Sequence, residues 1–115
     1  MLTENYLQDY LKEILPMCGG ILGDIQKESY KDNVPIIPND VVRLLSFILS
    51  VKRPERILEI GAAVGFSSAL MSKYLVYGGK ITTIDRFDIM IRHFKENVRK
   101  MSLEDKIELI EGDAC

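Results

Sequence analysis

The sequence predicts an α/β fold: a helical leading region, then the first half of an open, doubly wound sheet with three parallel strands. Two observations carry this. Short β-like runs alternate with amphipathic stretches of ten or more residues, an order that requires right-handed crossovers between parallel strands. The first run stops at a turn holding two glycines and the second at an acidic residue, the features expected where such a sheet presents its carboxyl edge to a ligand.

The leading region, residues 1–52, reads as a preface whose only regular elements are helices. Leu7, Tyr10, Leu11, Ile14 and Leu15 fall at three- and four-residue spacing and predict an amphipathic helix that Pro16 and then Gly19-Gly20 end. A second, weaker helix runs from Ile21 to about Lys31. Val34-Pro35-Ile36-Ile37-Pro38 is extended, because each proline disfavours helix before it, and Asn39 is placed to cap a third helix whose buried face is Val41, Val42, Leu44, Leu45, Ile48 and Leu49.

Residues 53–115 form the sheet-bearing part. Arg56 to Ile60 is a strand that stops at Gly61, and helix resumes from Ser67 to Val76. Gly78-Gly79 turns the chain into a second strand, Lys80 to Ile84, followed by a helix from about Phe87 to Lys100 marked by Ile91, Phe94 and Val98. A third strand follows at Lys106 to Ile110, and no repeat or low-complexity tract interrupts the series. A strand order 3-2-1 leaves the Arg56 to Ile60 strand as an open, apolar edge, which natural proteins avoid, so the sequence is expected to be truncated just after its third strand.

Bulk properties narrow the function classes. The 115 residues are 47% hydrophobic and 28% charged, the composition of a globular domain, and at this length folding buries only about two-thirds of the chain's surface. The net charge of −2 comes from 15 basic and 17 acidic residues with no block of either sign, which argues against a polyanion-binding tail. No apolar run approaches the roughly 18 residues of a membrane span, and MLTENYLQDYLKE is too acidic for a secretory signal, so a cytoplasmic protein without a membrane partner is expected. Cys18 and Cys115 are the only cysteines, giving neither a disulfide framework nor a zinc motif.

The chemistry concentrates in Glu59-Ile60-Gly61-Ala62-Ala63-Val64-Gly65-Phe66-Ser67, joined by Asp85 at the end of the second strand. Gly61 and Gly65 permit a tight turn and close backbone approach to a ligand. Asp85 stands 24 residues beyond Gly61, where a carboxylate accepts hydrogen bonds from both ribose hydroxyls of an adenosine. That feature fits NAD equally, but G-x-G-x-x-G fails, since Ala63 and Phe66 occupy the second and third glycine positions. Glu59 suits a ligand bearing an ammonium and a sulfonium, whereas a carboxylate beside a pyrophosphate is repulsive. The third strand ends in Glu111-Gly112-Asp113-Ala114, where Asp113 can meet an adenine amino group.

Residues 34–115 resemble the bacterial O-methyltransferases related to catechol and caffeoyl-CoA O-methyltransferases, and most closely the branch that includes tRNA 5-hydroxyuridine methyltransferase. The matching stretches are VPIIPND, RILEIGAAVGFSS, GGKITTIDR and LEDKIELIEGDA, in that order. The resemblance implies the Rossmann-like fold of class I methyltransferases and bound S-adenosylmethionine. Glu59, Gly61 and Ser67 would lie near its methionine portion, with Ala62 and Gly65 in the same loop, Asp85 on the ribose, Asp113 and Ala114 at the adenine, and Ile37 closing over the cofactor from the leading region. Many members carry Glu at the position of Asp85; either carboxylate can hold the diol. The family's metal ligands and the acidic residue after its fourth strand are expected beyond Cys115, so no catalytic or metal-binding residue is assigned in this chain. In the full-length enzyme the resemblance allows Mg²⁺ to hold the acceptor oxygen and lower its pKa. The acceptor would be a hydroxyl of a small aromatic molecule or of a hydroxylated tRNA base. A homodimer is left open, and the fragment alone is expected to be inactive.

Plainer readings stand beside these. Glu59 can cap a strand or pair with Arg56, and Ser67 can cap the following helix. His93, amid Arg92, Lys95 and Glu96, reads as structural. Thr82 and Thr83 read as β-formers, and the charged run from Arg92 to Lys100 as a solvated face rather than an RNA patch. Two rival functions remain, an NAD-dependent oxidoreductase fragment and a non-catalytic cofactor-binding or interaction module.

Overall fold

The computed structural model describes residues 6–7 and 18–114. The helix expected from Leu7 to Leu15 lies, apart from its first residue, outside the described residues. The elements are α1 (Gly20–Lys31), α2 (Asn39–Lys52), β1 (Arg56–Ile60), α3 (Phe66–Ser72), β2 (Lys80–Asp85), α4 (Asp88–Lys100) and β3 (Ile107–Glu111).

The three strands form one parallel sheet in the order β1-β2-β3, the order expected from the sequence. Helices cover one of its faces. Ile81 and Ile107 from that face pack with Leu49 of α2, Met71 of α3, and Phe94 and Val98 of α4, with Ile57 and Leu109 at the margin. On the opposite face Leu58, Ile60 and Ile110 are 67%, 70% and 46% exposed. Parallel sheets are ordinarily buried on both faces, whereas here this side and the edge of β1 present apolar side chains to solvent.

The leading region is fixed by a polar link as well as by apolar packing. Leu22 and Ile25 of α1 join Val42, Val64, Phe66, Ala69 and Leu70 in a core cluster. Between them lies Gln26, fully buried. Its side-chain oxygen accepts from the Cys18 N–H at 2.7 Å, and its amide nitrogen donates to Asn39 Oδ1 at 2.7 Å. The Val34 N–H bonds the Ser29 carbonyl at 2.8 Å and the Val42 N–H bonds that of Pro38 at 2.9 Å. Residues 34–38 are thereby pinned at both ends as an extended strap.

Several expectations need correction. Pro38, not Asn39, occupies the N-cap position of α2, and Asn39 is the first helical residue with its side chain committed to Gln26. Of the expected buried face of α2, only Val42 and Leu49 are buried; Leu45 is half-buried, and Val41, Leu44 and Ile48 are exposed. Periodicity correctly found apolar residues, but Leu44, Phe47, Ile48 and Val51 turn toward solvent. Helix α3 stops at Ser72 rather than Val76, because the next N–H groups bond three residues back, Lys73 to Leu70, Tyr74 to Met71 and Leu75 to Ser72, tightening the chain out of α-helix. The turn then passes close to the start of β1. A Cβ on Gly79 would lie 2.8 Å from the Glu55 carbonyl oxygen, so glycine is needed there.

Candidate functional site

Parallel register aligns the strand ends. Ile60 pairs with Ile84 and Asp85 with Glu111, and the ladder continues one step past the strands, the Gly61 N–H bonding the Ile84 carbonyl and the Gly112 N–H that of Asp85, each at 2.8 Å. The loop after β1 thus springs from the same edge as Asp85 and the β3 terminus.

That loop is a closed turn, with the Gly65 N–H on the Ala62 carbonyl at 2.9 Å. Gly61 at φ 89°, Ala63 at φ 45° and Gly65 at φ 85° all take left-handed conformations. Only Ala63 does so with a side chain, a strained arrangement that persists where surroundings hold it. What holds it is Asp85, whose Oδ2 accepts the Ala63 N–H at 3.0 Å. From the other side Asn97 of α4 donates its amide to the Val64 carbonyl at 2.8 Å. Gly65 lies against α4 as well: a Cβ there would stand 3.1 Å from the Phe94 ring, whereas one on Gly61 would meet open space.

The Asp85 carboxylate also accepts the N–H of Arg86 at 2.7 Å and of Phe87 at 3.0 Å through Oδ1. Burial pushes its pKa up, but the backbone N–H groups of Phe87, Ala63, Arg86 and Ala62 outweigh this and hold the carboxyl below its ordinary value. It stands ionised at neutral pH.

Glu59 points to the helix-covered side of the sheet. Its Oε2 accepts the Ser67 hydroxyl; its Oε1 accepts that of Ser68 and, at 2.9 Å, that of Thr83. Ser67 therefore does not cap α3, whose N-cap is Gly65 with no side-chain cap. At the β3 end, Asp113 pairs with Arg86 at 2.8 Å, both side chains more than half exposed. Ala114 is exposed.

Pro35, Ile36, Ile37 and Pro38 of the strap face Gly61, Ala62, Ala63, Phe66 and Ser67 across a cleft of about 360 Å³, within the size range of small-ligand sites. Of the residues singled out in the sequence, Ile37, Gly61, Ala62 and Ser67 line this cleft. Glu59 and Asp85 stand at the strand ends that carry the loop, Gly65 is buried beneath it, and Asp113 and Ala114 follow β3. Sequence reasoning missed Ala63, Ser68, Thr83 and Asn97. Thr83 pairs directly with Glu59 in the sheet register, so their side chains share a face, a relation that the sequence alone does not fix. Among the described residues no three His, Cys, Asp or Glu side chains gather to hold a metal ion, and no helix is long and apolar enough to cross a membrane.

Comparison with known proteins places this arrangement. A family model described as O-methyltransferase matches residues 18–115. Protein-L-isoaspartate O-methyltransferase of Aeropyrum pernix is 29% identical over 76 residues, 66% of this chain and 29% of that protein. Caffeoyl-CoA O-methyltransferase of Populus kitakamiensis is 31% identical over 78 residues, 68% of this chain and 33% of that one. The S-adenosylhomocysteine-bound structure of the Podospora anserina methyltransferase PaMTH1 superposes with a TM-score of 0.82 at 21% identity, covering 99% of this chain and 52% of that one. The chain thus spans about a third of the length of those two relatives and about half that of the solved structure.

Proposed function

Because the chain belongs to the O-methyltransferase family, we propose that it forms the S-adenosylmethionine-binding part of an enzyme that methylates a hydroxyl oxygen of a small aromatic molecule or a hydroxylated tRNA base. A cytoplasmic setting and a homodimeric assembly belong to the same reading. The observation that carries it is the convergence of Glu59, Asp85 and the Glu111 to Asp113 segment on one sheet edge, around a closed turn that faces an apolar strap. These side chains present acceptors, and the cofactor offers donors to match: an α-ammonium, a ribose diol and an adenine amine. The PaMTH1 structure holds S-adenosylhomocysteine, which supports the same ligand class here.

When bound, S-adenosylmethionine supplies a methyl group on a positively charged sulfur. The chain's own residues bind and orient. Glu59 offers its carboxylate toward the ammonium, Asp85 the acceptor capacity left by its backbone partners toward the ribose, and Asp113 with Ala114 the wall beside the adenine. Gly61 and Ala62 allow the ligand close to the backbone, while Ile37 and its neighbours cover it and exclude water. Such orientation is the contribution this half can make to in-line transfer. Among the described residues no three His, Cys, Asp or Glu side chains gather to hold Mg²⁺, and no step is assigned to it.

Calorimetric titration of the natural full-length protein with S-adenosylhomocysteine, and separately with NAD, tests the reading. S-adenosylhomocysteine should bind and NAD should not, and Asp85→Ala should weaken the former roughly ten- to a hundredfold, as for loss of hydrogen bonds to a charged group. Binding of NAD, or of neither ligand by a folded protein, overturns it.

A further inference from the structure

Glu59 is surrounded by more donors than a strand-end carboxylate needs. Three hydroxyls point at it from two elements, Ser67 and Ser68 in the first turn of α3 and Thr83 on β2. Ser68 and Thr83 are both fully buried, and neither lines the cleft. An ionised carboxylate has about four acceptor positions. Oε1 takes two donors and Oε2 one, so the remaining position falls on Oε2, the oxygen bound by the cleft-lining Ser67.

We propose that Thr83 and Ser68 are positioning residues for the cofactor: by holding Glu59 Oε1 they fix the carboxylate so that Oε2 faces the cleft to receive the α-ammonium. The inference rests on the S-adenosylmethionine reading above and adds to it two residues that never touch the ligand. Freed of these donors, the carboxylate can rotate, and the Ser67 hydroxyl that follows it loses its orientation at the cleft wall. A binding group held by a supporting layer of hydrogen bonds loses affinity when that layer is removed, although every contact atom remains.

Thr83→Val is nearly isosteric and deletes only the hydroxyl; Thr83→Ser restores it. In the natural full-length protein, calorimetry should give S-adenosylhomocysteine binding roughly tenfold weaker for Thr83→Val and near wild type for Thr83→Ser, measured at a temperature where each free protein is fully folded. In a Glu59→Gln background Thr83→Val should add no further loss, because it acts through Glu59. If Thr83→Val fails to fold, Ser68→Ala removes the second donor from the same oxygen and carries the same expectation. Wild-type affinity in Thr83→Val, equal weakening by Thr83→Ser, or an additive loss on top of Glu59→Gln overturns this inference and leaves the cofactor reading standing. Absence of S-adenosylhomocysteine binding by the wild type overturns both.

Discussion

Asp85→Asn tests how the cofactor loop is held. The native carboxylate serves three backbone N–H groups, Ala63 at 3.0 Å on one oxygen and Arg86 at 2.7 Å and Phe87 at 3.0 Å on the other. An asparagine has one oxygen. If it stays toward Arg86 and Phe87, its NH₂ confronts the Ala63 N–H; if it flips, it confronts the other two. Arg86 and Phe87 are exposed, so water replaces part of what they lose if the amide flips, whereas the bond to Ala63, which holds a left-handed alanine, is lost in full if it does not. A hydrogen bond to a charged group contributes about 1.5–3 kcal/mol, and Asp85→Asn should destabilise by about that much at pH 7, read by urea denaturation. The pH dependence has a definite sign. The folded-state pKa is lowered, so the carboxylate's contribution is complete above the unfolded value of about 3.9 and is lost as pH falls through the folded one. The gap between wild type and variant should therefore close on acidification below about pH 4. Equal stability at pH 7, or a gap that widens in acid, refutes the assigned role of the three N–H bonds.

Other positions give independent checks. Gln26→Leu strands the Cys18 N–H and Asn39 Oδ1 and should cost about 2–4 kcal/mol by denaturation, the sum of two unsatisfied polar groups of which one is only half-buried. Gly61→Ala should cost about 1–2 kcal/mol, the strain of a left-handed alanine alone, and Gly65→Ala visibly more, since its Cβ also meets the Phe94 ring at 3.1 Å; equal costs would refute that contact. The 115-residue chain by itself should self-associate through the bare sheet face, and the pair Leu58→Lys, Ile60→Lys should return it to a monomer by light scattering.

The strands were legible because short β-like runs end at turn glycines or an acidic residue and alternate with amphipathic stretches, and their order followed from the crossovers such alternation requires. The extent of helix burial was not. The apolar residues of α2 share faces by their spacing, yet spacing cannot say which face meets a partner, and Val42 and Leu49 are buried while Leu44 and Phe47 are not. Asn39 shows the same limit at a helix start: a residue suited to capping was drawn instead into a buried bond with Gln26, thirteen positions away, and Pro38 took the cap position. Long-range hydrogen bonding won over local propensity.

At the site, the glycine spacing and the acidic residues could be read directly, but not what each carboxylate would be doing. Glu59 and Thr83 meet only because β1 and β2 pair in one register of several, and a slip of one residue would carry Thr83 to the opposite face. The folded arrangement has a common principle that no motif states. Glu59 comes bound by three hydroxyls, Asp85 by three backbone N–H groups, and Asp113 by Arg86. Each acceptor is oriented before a ligand arrives, so binding does not have to immobilise it, and the ordering penalty that otherwise subtracts from affinity is met during folding. In the proposed cofactor site the acidic residues would set what is recognised, and the donors behind them, hydroxyls, backbone N–H groups and the Arg86 guanidinium, would set how well.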